Sequence, residues 1–306
     1  MELYKKYRPA SLDEVVGNQA VVKSISSMLE NKKDIPHALL FTGPSGSGKT
    51  TMARILKTAL NCSDGEYHEI DSAQFTGVDH VRSLRMKMNY APATGDCRVY
   101  LLDEVHRMSS AAQDALLKAL EDCPKHVYFF LATTDPQKLL KTVKTRCTSF
   151  EMQALTPAEI GKDLLLPTCK KEGKQIPKEA LKTIARECNG SARLAMVLLN
   201  SIINMEPEDM EEAIHHRAEE ESELIALCRA LLNQAPWAQI AKNLKGLSQE
   251  PESCRRGILN YMMSVVLSGG PKAHVAYNTM LEFESNYYDT AKAGLVMSCY
   301  AAIHGE

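Results

Sequence analysis

The segment Ala38-Leu39-Leu40-Phe41-Thr42-Gly43-Pro44-Ser45-Gly46-Ser47-Gly48-Lys49-Thr50 begins with an apolar run and ends in G-x-x-x-x-G-K-T. It is followed by Thr51-Met52-Ala53-Arg54-Ile55-Leu56, which has a helical pattern. Strand, glycine-rich loop and helix in that succession make a phosphate-binding loop. The glycines let backbone N–H groups of Gly43, Ser45, Gly46, Ser47 and Gly48 turn toward a polyphosphate, with Pro44, which has no N–H, in the same loop, and the helix N-terminus adds a favourable dipole. Lys49 is placed to reach the β- and γ-phosphates, Thr50 to hold Mg²⁺, and Thr51 to close the loop onto the helix.

Outward from this loop, residues 1–150 alternate short apolar or β-branched runs with helical patterns. Strands are expected at 38–42, 66–70, 98–103, 127–132 and 148–152, and helices at 18–31, 49–60, 78–90, 109–121 and 136–142. Such alternation predicts a parallel sheet covered on both faces. Helix-only patterning starts near Thr156-Pro157, with Glu159 completing a capping box. Breaks at Gly173, Pro177, Gly190 and Pro207 divide residues 157–215 into three or four short helices. The remainder reads as helical, interrupted at Gly246–Pro251 and Ser268–Pro271, with Glu219-Glu220-Glu221 read as a solvated face. The expected domains are 1–155, 156–215 and 216–306.

Bulk composition agrees with several folded domains in 306 residues, since 44% apolar and 24% charged residues suffice for ordinary cores. No run approaches the roughly 20 apolar residues of a membrane span. No signal-like N-terminus is present, so a cytoplasmic location without a membrane partner is expected. Nine scattered cysteines without a C-x-x-C pair fit a reducing compartment and indicate no zinc site. At a net charge of −2, any nucleic-acid surface must be a local patch.

The second chemical motif is Val99-Tyr100-Leu101-Leu102-Asp103-Glu104-Val105-His106. A buried strand delivers two carboxylates at its C-terminal end, where ligands bind in such sheets. Asp103 is suited to orient Mg²⁺ and Glu104 to activate water. His106 reads either as a site residue or as a helix-start packing residue. Leu131-Ala132-Thr133-Thr134-Asp135-Pro136 ends another strand in two hydroxyls, and Lys144-Thr145-Arg146-Cys147 precedes the next.

Taken in order, these motifs, together with Leu116-Leu117-Lys118-Ala119-Leu120-Glu121, resemble the AAA+ ATPase subunit of DNA sliding-clamp loaders. The likeness is nearest to the bacterial gamma/tau subunit and extends to the small subunits of replication factor C. Lys6-Tyr7-Arg8-Pro9 and Val15-Val16-Gly17-Asn18-Gln19 resemble the adenine-binding segment, and Gly190-Ser191-Ala192-Arg193 resembles the sensor-2 helix. The resemblance is detailed over 4–200 and architectural beyond. It implies an AAA+ core with a parallel five-stranded sheet flanked by helices, an all-α lid and an all-α C-terminal collar.

For the residues, the resemblance implies that Tyr7, Arg8 and Val16 contact the base end of ATP. Thr134 or Thr133 would be sensor 1, Arg193 would reach the γ-phosphate, and Arg146 would act on ATP in a neighbouring subunit. Partners implied are a sliding clamp, primer–template DNA and further subunits, five AAA+ subunits in total. The four-cysteine zinc module of gamma/tau is missing after Cys62, Thr145 replaces the usual Ser, and the long tau extension is not found. This compact plan resembles archaeal, eukaryotic or phage-type small subunits.

Arg82, Arg85 and Lys87 lie in the 78–90 helix and Arg107 follows the Asp-Glu box. Each reads as a DNA-backbone contact or as a solvated helix charge. Two other readings of the whole chain compete: a different AAA+ motor such as a branch-migration helicase, and a nucleotide-bound scaffold that does not turn over. The Thr-Arg-Cys and Leu-Ala-Thr-Thr-Asp-Pro-Gln-Lys runs weigh against the first, and intact Lys49, Asp103 and Glu104 against the second.

Overall fold

The computed structural model describes residues 2–30, 35–72, 77–221, 223–247, 250–267 and 269–304. They fall into two compact units, Met1–Asn200 and Ser201–Glu306. The first unit is built on strands β1 (Ala38–Thr42), β2 (Tyr67–Asp71), β3 (Arg98–Asp103), β4 (Val127–Thr133) and β5 (Thr148–Glu151). They form one parallel sheet in the order β2-β3-β4-β1-β5.

The order follows from composition. The three interior strands read Ala-Leu-Leu-Phe-Thr, Arg-Val-Tyr-Leu-Leu-Asp and Val-Tyr-Phe-Phe-Leu-Ala-Thr and are buried almost throughout. Parallel strands covered on both faces need such continuous apolar runs. The edge strands carry charges and expose most positions. Because side chains alternate, the sheet has two cores. Leu40, Leu102, Phe129 and Leu131 pack with helices α4 (Val78–Met88) and α5 (Ser110–Glu121) on one face. Leu39, Phe41, Leu101 and Phe130 pack with α2 (Gln19–Glu30) and α3 (Lys49–Ala59) on the other.

Each strand and helix expected in the first 150 residues is found within a residue or two, except at 136–142, and a short helix α1 (Leu3–Lys6) was not expected. There the chain makes one 3-10 turn, Pro136–Lys138, and only then α6 (Lys141–Thr145). The reason is Gln113, a buried amide on α5. Its Oε1 accepts from Leu140 N (2.9 Å) while its Nε2 donates toward Lys138 O (3.4 Å) and Met108 O (3.3 Å). Capturing the Leu140 N–H removes it from helix hydrogen bonding.

After β5, Thr156 and Glu159 form the expected capping box around Pro157. The helix then runs through α7 (Pro157–Glu159), a π-helical segment Ile160–Leu165, and α8 (Leu166–Lys171). Pro167 lies in this run and cannot donate to the backbone ladder. The wider π turn, in which Leu166 N–H reaches Gly161 O, carries the chain across it. Helices α9 (Lys178–Glu187) and α10 (Ala192–Ile202) follow, separated at Gly190 as expected. Gly190 has φ +75°, and a Cβ there would stand 2.7 Å from Ala154 Cβ and 2.8 Å from Leu155 O.

The second unit contains α11 (Met210–Glu221), α12 (Glu223–Leu232), α13 (Trp237–Gly246), α14 (Pro251–Leu267), α15 (Ala273–Glu282) and α16 (Ala291–His304). Residues 248, 249 and 268 of the two expected breaks, and the side chains of Glu219-Glu220-Glu221, lie outside the described residues. Leu227, Leu231, Ile240, Ile258, Met262, Phe283 and Leu295 make its core. Tyr287 is buried and Trp237 packs edge-on against Tyr300 at 5.0 Å, whereas Tyr288 is exposed. No helix among the described residues is long and apolar enough to cross a membrane.

Glu252 ties this unit together. Its carboxylate accepts from both ends of the Arg255 guanidinium (2.9 and 2.7 Å) and from Tyr287 N (3.0 Å). These bonds hold its pKa down at about 2 against an ordinary value of 4.5. A depressed carboxylate contributes stability that is present above the unfolded pKa and lost as pH falls through the folded one. Glu252→Gln is therefore expected to lower the unfolding free energy of this unit at pH 7, with wild type and variant converging as pH falls from 4.5 toward 2. Denaturant titrations followed by the fluorescence of the sole tryptophan, Trp237, measure it. A gap between the two proteins that stays constant down to pH 2 would exclude this role.

Candidate active site

The parallel register fixes which residues meet. Thr42 lies opposite Thr133, and Leu102 opposite Leu131. The loop after β1, the Asp103-Glu104 pair after β3 and the Thr133-Thr134 pair after β4 therefore share the carboxyl edge of the sheet. The loop and the Asp103-Glu104 pair border a cavity of about 810 Å³ within the first unit, and the threonines stand behind Glu104. Its walls include Ser45–Thr51 of the loop, Asp103 and Glu104, Tyr7, Arg8 and Val16 from the N-terminal segment, and Arg193 from α10.

Gly43, Gly46 and Gly48 have φ of +142°, +76° and +101°, which a chain of L residues seldom supports. Gly46 also has a close neighbour: a Cβ there would stand 2.0 Å from Ser191 Oγ and 2.9 Å from Ser191 Cβ. Ser191 begins α10 and its Oγ accepts from Leu194 N (3.2 Å). The phosphate loop and the N-terminus of the helix carrying Arg193 are thus in direct contact.

Lys49 is buried, and its ammonium donates to Gly43 O (2.8 Å) and Pro44 O (2.9 Å). Burial pushes its pKa down, opposed by the Glu104 and Asp103 charges. Asp103 shifts the other way: burial and then the adjacent Glu104 carboxylate raise its pKa, partly offset by a hydrogen bond from Glu104 N (3.0 Å) and by Lys49. Two neighbouring carboxylates facing one buried ammonium favour an additional cation. Asp103 and Thr50, both on the cavity wall, offer an oxygen set of the kind Mg²⁺ uses with substrate phosphates. Among the described residues, the buried Ser47 Oγ has no hydrogen-bond partner, so it is available to a ligand in this cavity, whose wall it lines.

Glu104 is held in the left-handed region at φ +49°. Thr134 Oγ1 donates to its Oε2 (3.0 Å), and His106 Nδ1 lies 3.1 Å from the same oxygen. His106 Nδ1 is also 2.9 Å from Thr133 Oγ1, which accepts from Asp135 N (3.0 Å). Thr133 is fully buried, so of the two threonines Thr134 faces the carboxylate and Thr133 secures His106. Burial lowers the His106 pKa, which keeps the ring neutral near pH 7.

Arg8, Arg193 and Lys171 line the cavity. Neither Arg8 nor Arg193 makes an ion pair among the described residues. Burial and the Arg54 charge push the Arg8 pKa down, opposed by Glu69, with Arg193 adding to the lowering. Arg146 stands apart from this cavity, exposed at the end of α6, ion-paired with Glu121 and donating to Thr142 O (3.4 Å). Arg82, Arg85, Lys87 and Arg107 are exposed as well. Arg82 pairs with Asp79 at 3.1 Å and Arg85 with Asp122 at 2.5 Å, surface pairs of the kind worth about 0–1 kcal/mol.

Sequence reading missed the contributions of the lid. Asp163 and Leu164 of the π segment, with Thr168, Lys171 and Met196, complete the cavity wall. Tyr4 also lines it, although it lies outside the Lys6–Pro9 motif. Only Pro167 inside a helical pattern hinted at a local distortion.

A phosphate loop after β1, an Asp-Glu pair after β3, a polar β4 terminus and a helical lid bringing an arginine over the loop define an AAA+ P-loop ATPase core. The family model described as "DNA polymerase III, delta subunit" matches residues 66–156. The DNA polymerase III subunit gamma of Buchnera aphidicola is 37% identical over 224 residues, covering 66% of this chain and 61% of that protein. The tau subunit of Escherichia coli is 38% identical over 222 residues, covering 66% of this chain and 34% of that protein. Among solved structures, the RuvB Holliday junction branch migration motor of Thermotoga maritima superposes with a TM-score of 0.61 at 20% identity, covering 85% of this chain and 91% of that one. The last likeness concerns the fold alone. Over about two thirds of its length the chain is similar to DNA polymerase III gamma and tau subunits. It spans about three fifths of the gamma relative and about a third of the tau relative.

The Gly46–Ser191 contact has a direct test. Gly46→Ala is expected to destabilise the protein by about 1–3 kcal/mol through its positive φ and the collision with Ser191. Adding Ser191→Gly removes the collision but not the strain, so the double variant recovers part of the loss. A double-mutant cycle by urea unfolding that gives zero coupling would show that the contact contributes nothing.

Proposed function

We propose that this chain is an ATP-hydrolysing subunit of a DNA sliding-clamp loader. The observation that carries the reading is the shared cavity. Arg8 and Arg193 converge on the phosphate loop without an ion pair among the described residues, opposite a Glu104 held by Thr134 and His106. A polyphosphate supplies the missing anion, and a carboxylate held by side chains rather than by a cation is free to take a proton from water. Gly43–Thr51 and Lys49 bind the phosphates, Tyr7, Arg8 and Val16 the base end, and Arg193 the terminal phosphate. Thr50 and Asp103 would hold Mg²⁺. When bound, the ion neutralises charge on the phosphoryl oxygens.

Binding of ATP is proposed to bring subunits, five AAA+ copies or paralogues in all, into a spiral that grips and opens a ring-shaped clamp. Primer–template DNA then triggers hydrolysis and release, in the cytoplasm at replication forks. The three-part division at 155 and 215 is retained as core, lid and collar. The RuvB-like fold leaves a branch-migration motor as the second reading. The gamma and tau relatives, at 37% and 38% identity, favour the clamp loader.

Hydrolysis at a subunit boundary is tested by mixing. Glu104→Gln is expected to bind ATP normally and lose about 10²–10⁴ of the turnover. Arg146→Ala is expected to bind ATP normally and lose about 10³–10⁵ when it is present on every subunit. In mixtures, a site with intact Glu104 beside a partner with intact Arg146 forms at some interfaces, so steady-state ATPase should recover in proportion. Mixtures no more active than their components would refute an intersubunit arginine.

The DNA contacts are proposed at Arg82, Arg85, Lys87 and Arg107, all exposed; the weak surface pairs of Arg82 and Arg85 exchange readily for phosphates. Each true contact removed should flatten log K against log salt by about 0.9 on duplex of any sequence. The triple variant Arg82→Ala, Arg85→Ala, Arg107→Ala is the one to measure, and an unchanged slope would leave these residues as solvated charges.

A further inference from the structure

The guanidinium of Arg193 lies over the ring of Tyr4, 5.1 Å from its centroid. Both side chains line the nucleotide cavity. Arg193 is otherwise exposed and has no ion-pair partner among the described residues, so the ring face is its principal fixed neighbour. A long, flexible side chain that must act on one phosphate loses conformational freedom when it does so, and an aromatic platform that holds it beforehand reduces that loss. Arginine over tyrosine is an attractive arrangement of this kind, strongest where water is partly excluded.

Tyr4 is itself held in place. It belongs to the short helix α1 (Leu3–Lys6), whose two ends are tied to the helices of the lid. At one end Leu3 is buried and its N–H donates to Asn200 Oδ1 (3.3 Å), on α10, the helix that carries Arg193. At the other, Lys6 Nζ and Tyr7 Oη each lie 2.6 Å from Glu172 Oε1, at the end of α8. Lys5 also approaches the Tyr4 ring, at 5.4 Å, but its charge is matched by Glu2 at 2.7 Å. Arg193 makes no ion pair among the described residues, and Glu2 acts on it only at longer range.

We propose that Tyr4 is a positioning residue for Arg193. Its ring holds the guanidinium over the cavity, ready for the terminal phosphate, and so sets how strongly the site prefers a nucleoside triphosphate to a diphosphate. The inference rests on the reading of Arg193 as the residue that reaches the γ-phosphate. It adds a residue outside the Lys6–Pro9 motif and gives the N-terminal helix a part in phosphate recognition rather than in base binding alone.

The experiment compares Kd values of a non-hydrolysable ATP analogue and of ADP, both with Mg²⁺, for the full chain and for Arg193→Ala, Tyr4→Ala, Tyr4→Leu and Tyr4→Phe. Arg193→Ala should abolish the triphosphate preference. Tyr4→Ala and Tyr4→Leu should each reduce the ATP-to-ADP preference by about 2- to 30-fold, the range a cation–π contact spans, with ADP affinity nearly unchanged. Tyr4→Phe keeps the ring face and should keep the preference. Leucine retains apolar packing without a π face, so equal losses in Ala and Leu variants separate ring electrostatics from folding. Loss in Arg193→Ala with full preference in Tyr4→Leu overturns the positioning role alone. Full preference in Arg193→Ala overturns the assignment of Arg193 and this inference with it.

Discussion

The pairing of β1 with β4, Ala38 to Phe129 through Thr42 to Thr133, is the constraint on which the site depends. A slip of one residue would turn every side chain of β1 to the other face, exchanging Leu39 and Phe41 with Leu40 between the two cores. Full burial of Phe41, Phe129 and Phe130 makes such a slip costly, because each would leave a shaped apolar environment. Held in register, the three interior strands end at one level. The phosphate loop, the Asp-Glu pair and the threonines are then placed by the sheet rather than by their loops.

On that edge, charge is arranged with little internal compensation. The buried Lys49 ammonium is satisfied by two carbonyls of its own loop, and the carboxylates it faces are not fully neutralised, as the raised pKa of Asp103 records. Arg8 and Arg193 repel one another across the same space. Hydrogen bonds to Glu104 from Thr134 and from the neutral ring of His106 fix the orientation of its carboxylate without adding positive charge. An environment this incomplete is stable only because the sheet beneath it supplies the folding energy, which is the usual relation between a rigid scaffold and a site with unmatched charges.

Most of the sheet was legible in the sequence because its signals are local. Continuous apolar runs mark buried parallel strands, and G-x-x-x-x-G-K-T, Thr156 with Glu159, and Gly190 mark the turns and caps between elements. What escaped depended on contacts distant in sequence. Gln113 breaks the 136–142 helix by taking Leu140 N–H across 27 positions. The π segment before Pro167 turns Asp163 and Leu164 toward the cavity, and no periodicity shows that. His106 was ambiguous because, besides nearby Glu104, its other partner, Thr133, lies 27 positions away at the end of β4. Tyr4 gains meaning only through Arg193, 189 positions away by subtraction of the two numbers.

The likeness to a branch-migration motor shows how little the fold alone decides. One architecture, superposing with a TM-score of 0.61, is shared at only 20% identity, and a shared fold does not imply a shared function. The distinguishing features lie at the margins of this chain's core. Arg146 is exposed beyond its own cavity and engaged with Glu121 in a surface pair. Such a pair contributes little to stability and is readily exchanged for a stronger anion. Under the proposed function a phosphate presented by a neighbouring copy would be such an anion for Arg146, and a nucleic-acid phosphate for Arg85, now paired with Asp122. Weak self-pairing at the surface and unmatched charge in the interior have one physical consequence: both leave cations whose present partners a stronger anion can replace.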